Sequence, residues 1–316
     1  MTGTVEKALR LWGMEGAEHH MFAARENVVH QVRHQGATYA LRLHRQGYRS
    51  DEELISELQM MAAAGQAGLH VPAPVAAASG AYVQVVDGVQ IDVLDWLGGA
   101  PLGKSGNPLD RVDGQTLFRA IGREMARLHA AMDAWIPPAG FTRCAWDHDG
   151  LLGAAPVWGR FWDNATLSAE DRALFETVRQ HASDELTRLA PFLEYGLIHA
   201  DLVRENILLD GDRVQMIDFD DAGFGFRLFD VATTLLKNIS EPDYPALKAA
   251  LLAGYGQVRA LDTAALDLFV LLRSATYVGW IATRLEEDGA TARNARFIAT
   301  TRHLAQDWLS EKGVTP

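Results

Sequence analysis

The apolar positions of this chain switch between a helical period and an alternating one. Val5, Ala8, Leu9 and Trp12 recur at helical spacing, so a short amphipathic helix opens the chain. From Arg25 to Leu43 the pattern alternates and is β-branched, with turn residues at Gln35-Gly36. That predicts a hairpin of Val28–Arg33 and Thr38–Leu43. Ser50 followed by Glu53 is a capping-box signal for a helix from Asp51 to about Ala64, ended by Gly65 and Gly68. Pro72 and Pro74 mark an extended link to a second hairpin, Ala81–Val86 and Val89–Leu97, around Asp87-Gly88.

Beyond Gly98-Gly99 the helical period dominates. Leu117, Ile121, Met125 and Leu128 stripe one helix, and another runs from Ala169 to about Leu189. The stretch from Trp135 to Asn164 is irregular. Short apolar strands then interrupt: Leu197–His199, Ile207–Leu209 and Val214–Phe219, the last two turned by Asp210-Gly211-Asp212. Helices near Leu228–Asn238, Pro245–Tyr255, Thr263–Glu287 and Thr291–Ser310 finish the chain. The organisation is a strand-rich first third, a Gly-rich link and a helical remainder with a small β insert.

Composition changes this picture little. The 316 residues are 48% hydrophobic and 22% charged, which is globular, with a formal net charge of −12. That balance disfavours a nucleic-acid partner and an anionic membrane surface. Leu266–Ala282 is strongly apolar but carries Asp267 and Arg273, so it reads as a buried helix and not a membrane span. One cysteine, Cys144, gives neither an intrachain disulfide nor a cysteine-based zinc site. The N-terminus lacks a signal-type apolar core, so a reduced cytoplasmic protein is expected.

The chemistry concentrates in the β insert. His199, Asp201 and Asn206 have the spacing H-x-D-x-x-x-x-N, and Asp218 follows twelve residues later at the end of an apolar strand. Asn206 and Asp218 offer hard oxygen ligands that suit magnesium. Asp201 sits on the preceding loop and can face an acceptor hydroxyl. One carboxylate to orient and deprotonate a nucleophile, plus oxygen ligands for a phosphate-bound metal, are the parts phosphoryl transfer needs.

This insert resembles the catalytic and metal loops of the aminoglycoside phosphotransferase and choline kinase superfamily. Within it the chain most resembles the bacterial stress-response kinase A and type II homoserine kinase branch. Arg25-Glu-Asn27, Leu41-Arg-Leu-His-Arg45, Val71-Pro-Ala-Pro74, Gly122–His129 and Gly225-Phe-Arg-Leu-Phe-Asp230 extend the likeness over nearly the whole chain. The resemblance implies an α+β, two-lobed protein-kinase-like fold, with an antiparallel nucleotide-binding lobe at 1–97 and a mainly helical catalytic and acceptor-binding lobe at 98–316. It implies an ATP- and Mg2+-dependent kinase acting on a hydroxyl of an amino alcohol, an amino acid or a protein Ser/Thr, as a monomer or homodimer. The alternative is a non-catalytic nucleotide-binding regulator of the same fold.

Further site residues follow from the resemblance. Arg42 stands where the family usually has Lys and would reach the α- and β-phosphates, with Glu57 as its partner, because Glu53 is occupied in the capping box. Asp95-Trp96-Leu97 would present backbone groups to adenine. No G-x-G-x-x-G loop is present, so the turn from Ala23 to Asn27 would use backbone amides or side chains. Asp220 could touch a second metal or stabilise its turn, and Asp230 could cap a helix or brace the catalytic loop. His199 would support that loop. Ala200, where Gly is usual, and Arg204 and Glu205, where small residues are, depart from the pattern, and the last two could recharge the acceptor side. Arg273, Tyr277, Trp280 and Arg284 share a helical face. They would either line a pocket for an anionic group or pack as core, with the arginines paired to Glu287 or Asp288, while the net charge of −12 favours instead a cationic acceptor met by Asp201, Glu205 and Asp221.

Overall fold

The computed structural model describes residues 2–24, 27–109 and 112–314. The Arg25-Glu26 part of the first turn lies outside these. In chain order the elements are α1 (Thr2–Leu11), β1 (Glu18–Ala24), β2 (Val28–His34), β3 (Ala37–Leu43), α2 (Asp51–Gln66), β4 (Gln84–Val86), β5 (Val89–Asp95), β6 (Ala100–Pro101) and α3 (Gly114–Ala134). Then come β7 (Ala145–Trp146), α4 (His148–Leu152), α5 (Ala169–Leu189), β8 (Tyr195–Ile198), β9 (Ile207–Asp210), β10 (Arg213–Met216), β11 (Gly223–Phe226), α6 (Arg227–Leu236), α7 (Tyr244–Tyr255), α8 (Leu266–Ala282) and α9 (Ala290–Glu311). None of the described helices is long and apolar enough to cross a membrane.

The chain divides into two compact units. The first holds residues up to Leu102, with Ala130–Arg143 and Asn206–Asp220. Its main sheet is antiparallel, in the order β1-β2-β3-β5-β4. Both predicted hairpins form, and their turns show why. Gln35-Gly36 sits at φ 50° and 81°, and Asp87-Gly88 at 52° and 80°. Two successive left-handed residues match the strand twist. Strand alternation then sorts the side chains. Leu41, Leu43, Ile91 and Val93 join Val5, Ala8, Leu9 and Trp12 of the opening segment in one core cluster. Arg42, His44 and Asp92 point to the opposite face, where α2 supplies Glu57. Helix α2 begins as expected: Ser50 Oγ accepts from Glu53 N at 3.2 Å, and Ser50 N donates to Glu53 Oε2 at 2.9 Å.

A second sheet in this unit, β10-β9-β6, carries the loop of Asp218. Gly99 is required beside it: at φ 101°, an added Cβ would lie 2.5 Å from the Leu209 carbonyl oxygen. Strand β10 ends at Met216, two residues before the predicted strand would deliver Asp218.

The second unit holds Gly103–His129, Cys144–Glu205 and the chain from Asp221 onward. Its small sheet is β7-β11-β8. The stretch read as irregular contains α4, which Asp147 caps by accepting from Gly150 N at 2.8 Å. Helix α8 is buried along nearly its whole length, as its apolar composition requires. Helices α3 and α7 cross at glycines: a Cβ on Gly122 would stand 2.0 Å from the Leu251 carbonyl, and one on Gly254 1.9 Å from that of Arg119. Farther along the two helices, this approach lets His129 meet Tyr255, 2.8 Å from Nδ1 to the hydroxyl.

Candidate active site

The loop after β8 carries Asp201, and Asp230 of α6 holds it. Asp230 accepts from His199 N at 2.9 Å and from Ala200 N at 2.6 Å. His129 Nε2 lies 2.9 Å from the same carboxylate. Burial pushes the His129 pKa down, so the ring is neutral, with Nε2–H donating to Asp230 and Nδ1 accepting from Tyr255. Burial opposes the Asp230 anion, yet the hydrogen bond from His129 and the loop amides outweigh it and hold its carboxyl below the usual range. Asp230 therefore braces the loop, and the residue N-capping α6 is Phe226. His199 supports from within: its Nδ1 accepts from Asp201 N at 3.3 Å. Ala200 sits at φ 66°, a left-handed conformation that explains the usual glycine.

Asp201 itself meets α8. Arg273 donates Nη2 to Asp201 Oδ1 at 2.5 Å and to the Tyr277 hydroxyl at 2.9 Å. The guanidinium carbon lies 4.3 Å from the Trp158 ring centroid and 4.4 Å from that of Tyr277. An apolar buried helix tolerates this charge because a carboxylate pairs it and ring faces solvate it. Arg284, on the same face, stacks on Trp280 at 4.4 Å and lies 3.8 Å from Glu287. The four residues thus split: one arginine meets the local carboxylate, the other reaches 72 residues back to Asp201.

Arg204 and Glu205 are each held by hydrogen bonds to neighbours, and the Glu205 charge still reaches Tyr277, whose hydroxyl accepts from Arg273. Arg204 is buried and donates to Asn238 Oδ1 at 2.8 Å, Asn107 O at 2.6 Å and Glu241 Oε1 at 2.5 Å. Glu205 accepts from Ser105 N and Oγ at 2.7 and 2.8 Å.

The other predicted residues lie in the first unit. Arg42 donates Nη1 to Glu57 Oε1 at 2.8 Å, as expected, but also Nε and Nη2 to both oxygens of Asp92 at 2.8 and 2.6 Å. Its cross-strand register with Asp92 makes the fork possible. Burial works against both carboxylates, but Arg42 outweighs it, holding Glu57 below and Asp92 far below the usual carboxylate range. Arg143 continues the chain of charge: Nη1 is 3.9 Å from Glu57 Oε2, and Nη2 donates to the carbonyls of Phe219 and Asp220 at 3.0 and 2.5 Å. Arg42 is thereby linked to the residues that follow Asp218. Asp218 is exposed, at φ 67°. Ile217 N donates to Asn206 O at 3.0 Å. The residue before Asp218 is thus bonded to Asn206, and an amide and a carboxylate oxygen are a donor set that fits magnesium. Asp220 is buried, with its Oδ1 3.6 Å from Arg49 Nε.

At the exit of β5, Asp95 N donates to Ala73 O at 2.9 Å and Trp96 N to Thr38 O at 3.1 Å, so these two amides are spent within the unit. The Trp96 ring meets Phe22 edge-on at 4.8 Å. Leu97 follows, half-buried. Asn27 accepts from Arg45 N at 3.4 Å.

Residues 23–269 match the phosphotransferase enzyme family (APH). The chain belongs to that family. The solved structure of a microcompartment-associated aminopropanol kinase superposes with a TM-score of 0.86 at 30% identity, covering 100% of this phosphotransferase and 99% of that chain. A homoserine kinase of Sinorhizobium medicae (strain WSM419) is 29% identical over 86% of this chain and 77% of its own length. An amicoumacin kinase of Bacillus subtilis (strain 168) is 24% identical over 76% of this chain and 68% of its own. The fold is the α+β protein-kinase-like one of the aminoglycoside phosphotransferase and choline kinase superfamily. The phosphotransferase is an ATP-dependent kinase with a hydroxyl acceptor.

Sequence reasoning missed Asp92 and Arg143 and gave Arg273 a different partner. Asp92 carries a signal in retrospect: a carboxylate inside Val89–Asp95, directly across from Arg42. Arg143, in an irregular stretch, carries none.

Proposed function

We propose that this phosphotransferase moves the γ-phosphoryl group of ATP to the hydroxyl of a small amino alcohol or amino acid in the cytoplasm, with Asp201 as the catalytic carboxylate. The observation that carries the reading is the mounting of Asp201: both amides before it are held by buried Asp230, and its Oδ1 is held by buried Arg273. A carboxylate fixed in this way orients an acceptor O–H and takes its proton as the oxygen bonds to phosphorus and ADP leaves. The names of the aminopropanol and homoserine kinases support an acceptor of this size.

Asn206 and Asp218 would hold magnesium, which when bound neutralises charge on the phosphate oxygens. Arg42, fixed by Asp92 and Glu57, would direct its remaining N–H groups to the phosphates. Asn27, the carbonyls of Asp95 and Trp96 and the backbone of Leu97 would serve the nucleotide, within a binding region of residues 1–97, and 98–316 would supply catalysis and the acceptor.

Two variants test this. Asp201→Asn is expected to keep ATP binding and lose turnover by about 10²-fold or more. Asp218→Ala is expected to lose magnesium-dependent nucleotide affinity, read by calorimetry with and without the metal. Near-normal turnover in Asp201→Asn overturns the assignment. Asp201→Glu, which keeps a partner for Arg273, guards against a loss that is only unfolding.

A further inference from the structure

Lys237, directly after α6, is a half-buried cation that nothing above employs. Its ammonium lies 3.6 Å from the Tyr277 ring centroid and 5.8 Å from that of Phe297. Among the described residues it has no hydrogen-bond acceptor and no carboxylate partner. Arg273 leans on the same Tyr277 ring, 4.4 Å from its centroid. Two like charges therefore lie against one aromatic ring, and among the described residues only Arg273 is matched, by Asp201. Arg296 adds a third positive charge to the field at Lys237. The carboxylates whose charge reaches Lys237, Asp201 and Glu205, form no ion pair with it among the described residues, and they and Asp221 accept from other donors. Asp201 takes Arg273, Glu205 takes Ser105, and Asp221 Oδ1 accepts from Trp158 Nε1 at 3.2 Å. A quadrupole attracts a cation but does not replace its counter-ion.

We propose that Lys237, with Arg273 beside it, is a subsite for the acceptor's carboxylate, so that the physiological substrate is a hydroxylated amino acid and not the corresponding amino alcohol. The proposal rests on the reading of Asp201 as the catalytic carboxylate, since it is the shared contact with Arg273 that puts this subsite next to the reacting hydroxyl. A carboxylate here completes the charge of Lys237 and separates it from Arg273. A bare ammonium group would meet two cations. Burial and then the nearby charge of Arg273 push the Lys237 pKa down to about 7, against the opposing pull of Asp201 and Glu205. The same cation could meet anionic oxygen from a different source, the phosphoryl group in transfer, and the kinetics separate the two.

The test uses acceptor pairs that differ only by the carboxylate: L-homoserine against 3-aminopropan-1-ol, L-threonine against 1-aminopropan-2-ol, and L-serine against ethanolamine. ADP release and phosphorylated product are measured at saturating ATP and magnesium. In the best pair, kcat/KM is expected to favour the acid by about tenfold or more, the scale of one charge-assisted hydrogen bond. Lys237→Met should raise the acid's KM by a similar factor, leave its kcat and the amino alcohol's constants nearly unchanged, and be partly rescued in Lys237→Arg. Preference for the amino alcohols overturns the proposal. So does an equal fall of kcat for both members in Lys237→Met, which would place the cation at the phosphoryl group. If no pair turns over, calorimetric titration of the wild type with the three acids decides: no binding at about 10 mM, above the usual KM range, overturns it. Turnover retained in Asp201→Asn would strike the catalytic reading, while the acid preference of the wild type is measured independently of that variant.

Discussion

Arg42 and Arg273 are both sealed from water, and each pairs with a carboxylate, but their surroundings differ in kind. Arg42 lies among charges: both oxygens of Asp92, one of Glu57, with His44 Nε2 2.9 Å from Asp92 and Arg143 beyond. Arg273 lies among rings, Trp158, Tyr277 and Phe229, and among the described residues only one carboxylate oxygen reaches it. In the first unit the charges satisfy one another, and the arginine is fixed whatever binds. In the second, the rings carry the packing and the single carboxylate contact is left to chemistry. A buried charge cluster of the first kind is a scaffold, and one of the second kind orients a reactive group.

The comparison breaks most easily at Arg42. Arg42→Met leaves Asp92 and Glu57 buried without their main partner, and a loss of about 3–5 kcal/mol in denaturant unfolding is expected. A cost below about 1 kcal/mol would mean that the cluster is not a scaffold. Next comes Arg273→Lys, which keeps the charge but gives up the planar fork and the stacking. Its kcat should fall roughly tenfold with a smaller change in KM for ATP, because Asp201 loses its fixed orientation and nucleotide binding is untouched. Equal losses in stability and rate, as for Arg42→Met, would erase the distinction between the two arginines.

The smallest effect is in pH, and its window differs between the units. Asp92 titrates far below its ordinary value of 3.8. Its contribution to stability is present above that value and is lost as pH falls below it toward the folded-state pKa. Lys237 titrates at about 7 in the folded protein, against 10.5 ordinarily. Between those values the unfolded chain holds the extra proton, so stability should rise with pH across that window. Melting temperatures measured against pH should show an acid limb flattened in Asp92→Asn and an alkaline rise removed in Lys237→Met. An alkaline rise that survives in Lys237→Met belongs to another group.

Much of this was legible in the chain. Hairpin turns, the capping box and H-x-D-x-x-x-x-N are local signals, and local rules govern them. Strand β1 was not, because its edge position leaves Met21 and Phe22 exposed and the alternating signal never forms. Asp92 reads as an outward residue on an alternating strand, since sequence gives the face but not what covers it. The partner of Arg273 lies 72 residues away, and helical spacing names neighbours on a face, never the residue opposite. Asp230 was left between two roles, and only the positions of two amides from β8 decide between them.

Ala200 carries a consequence for how such enzymes are found. A methyl group at φ 66° costs about 1 kcal/mol or more, whereas glycine there would loosen the unfolded chain by about 0.4–1 kcal/mol. The strain exceeds the gain, but by only about 1 kcal/mol, which the contacts that hold this loop can carry. Glycine beside Asp201 is then a habit of related sequences and not a requirement of the loop. A motif search that insists on it would pass over chains whose loop is held, as here, by a buried aspartate taking both amides.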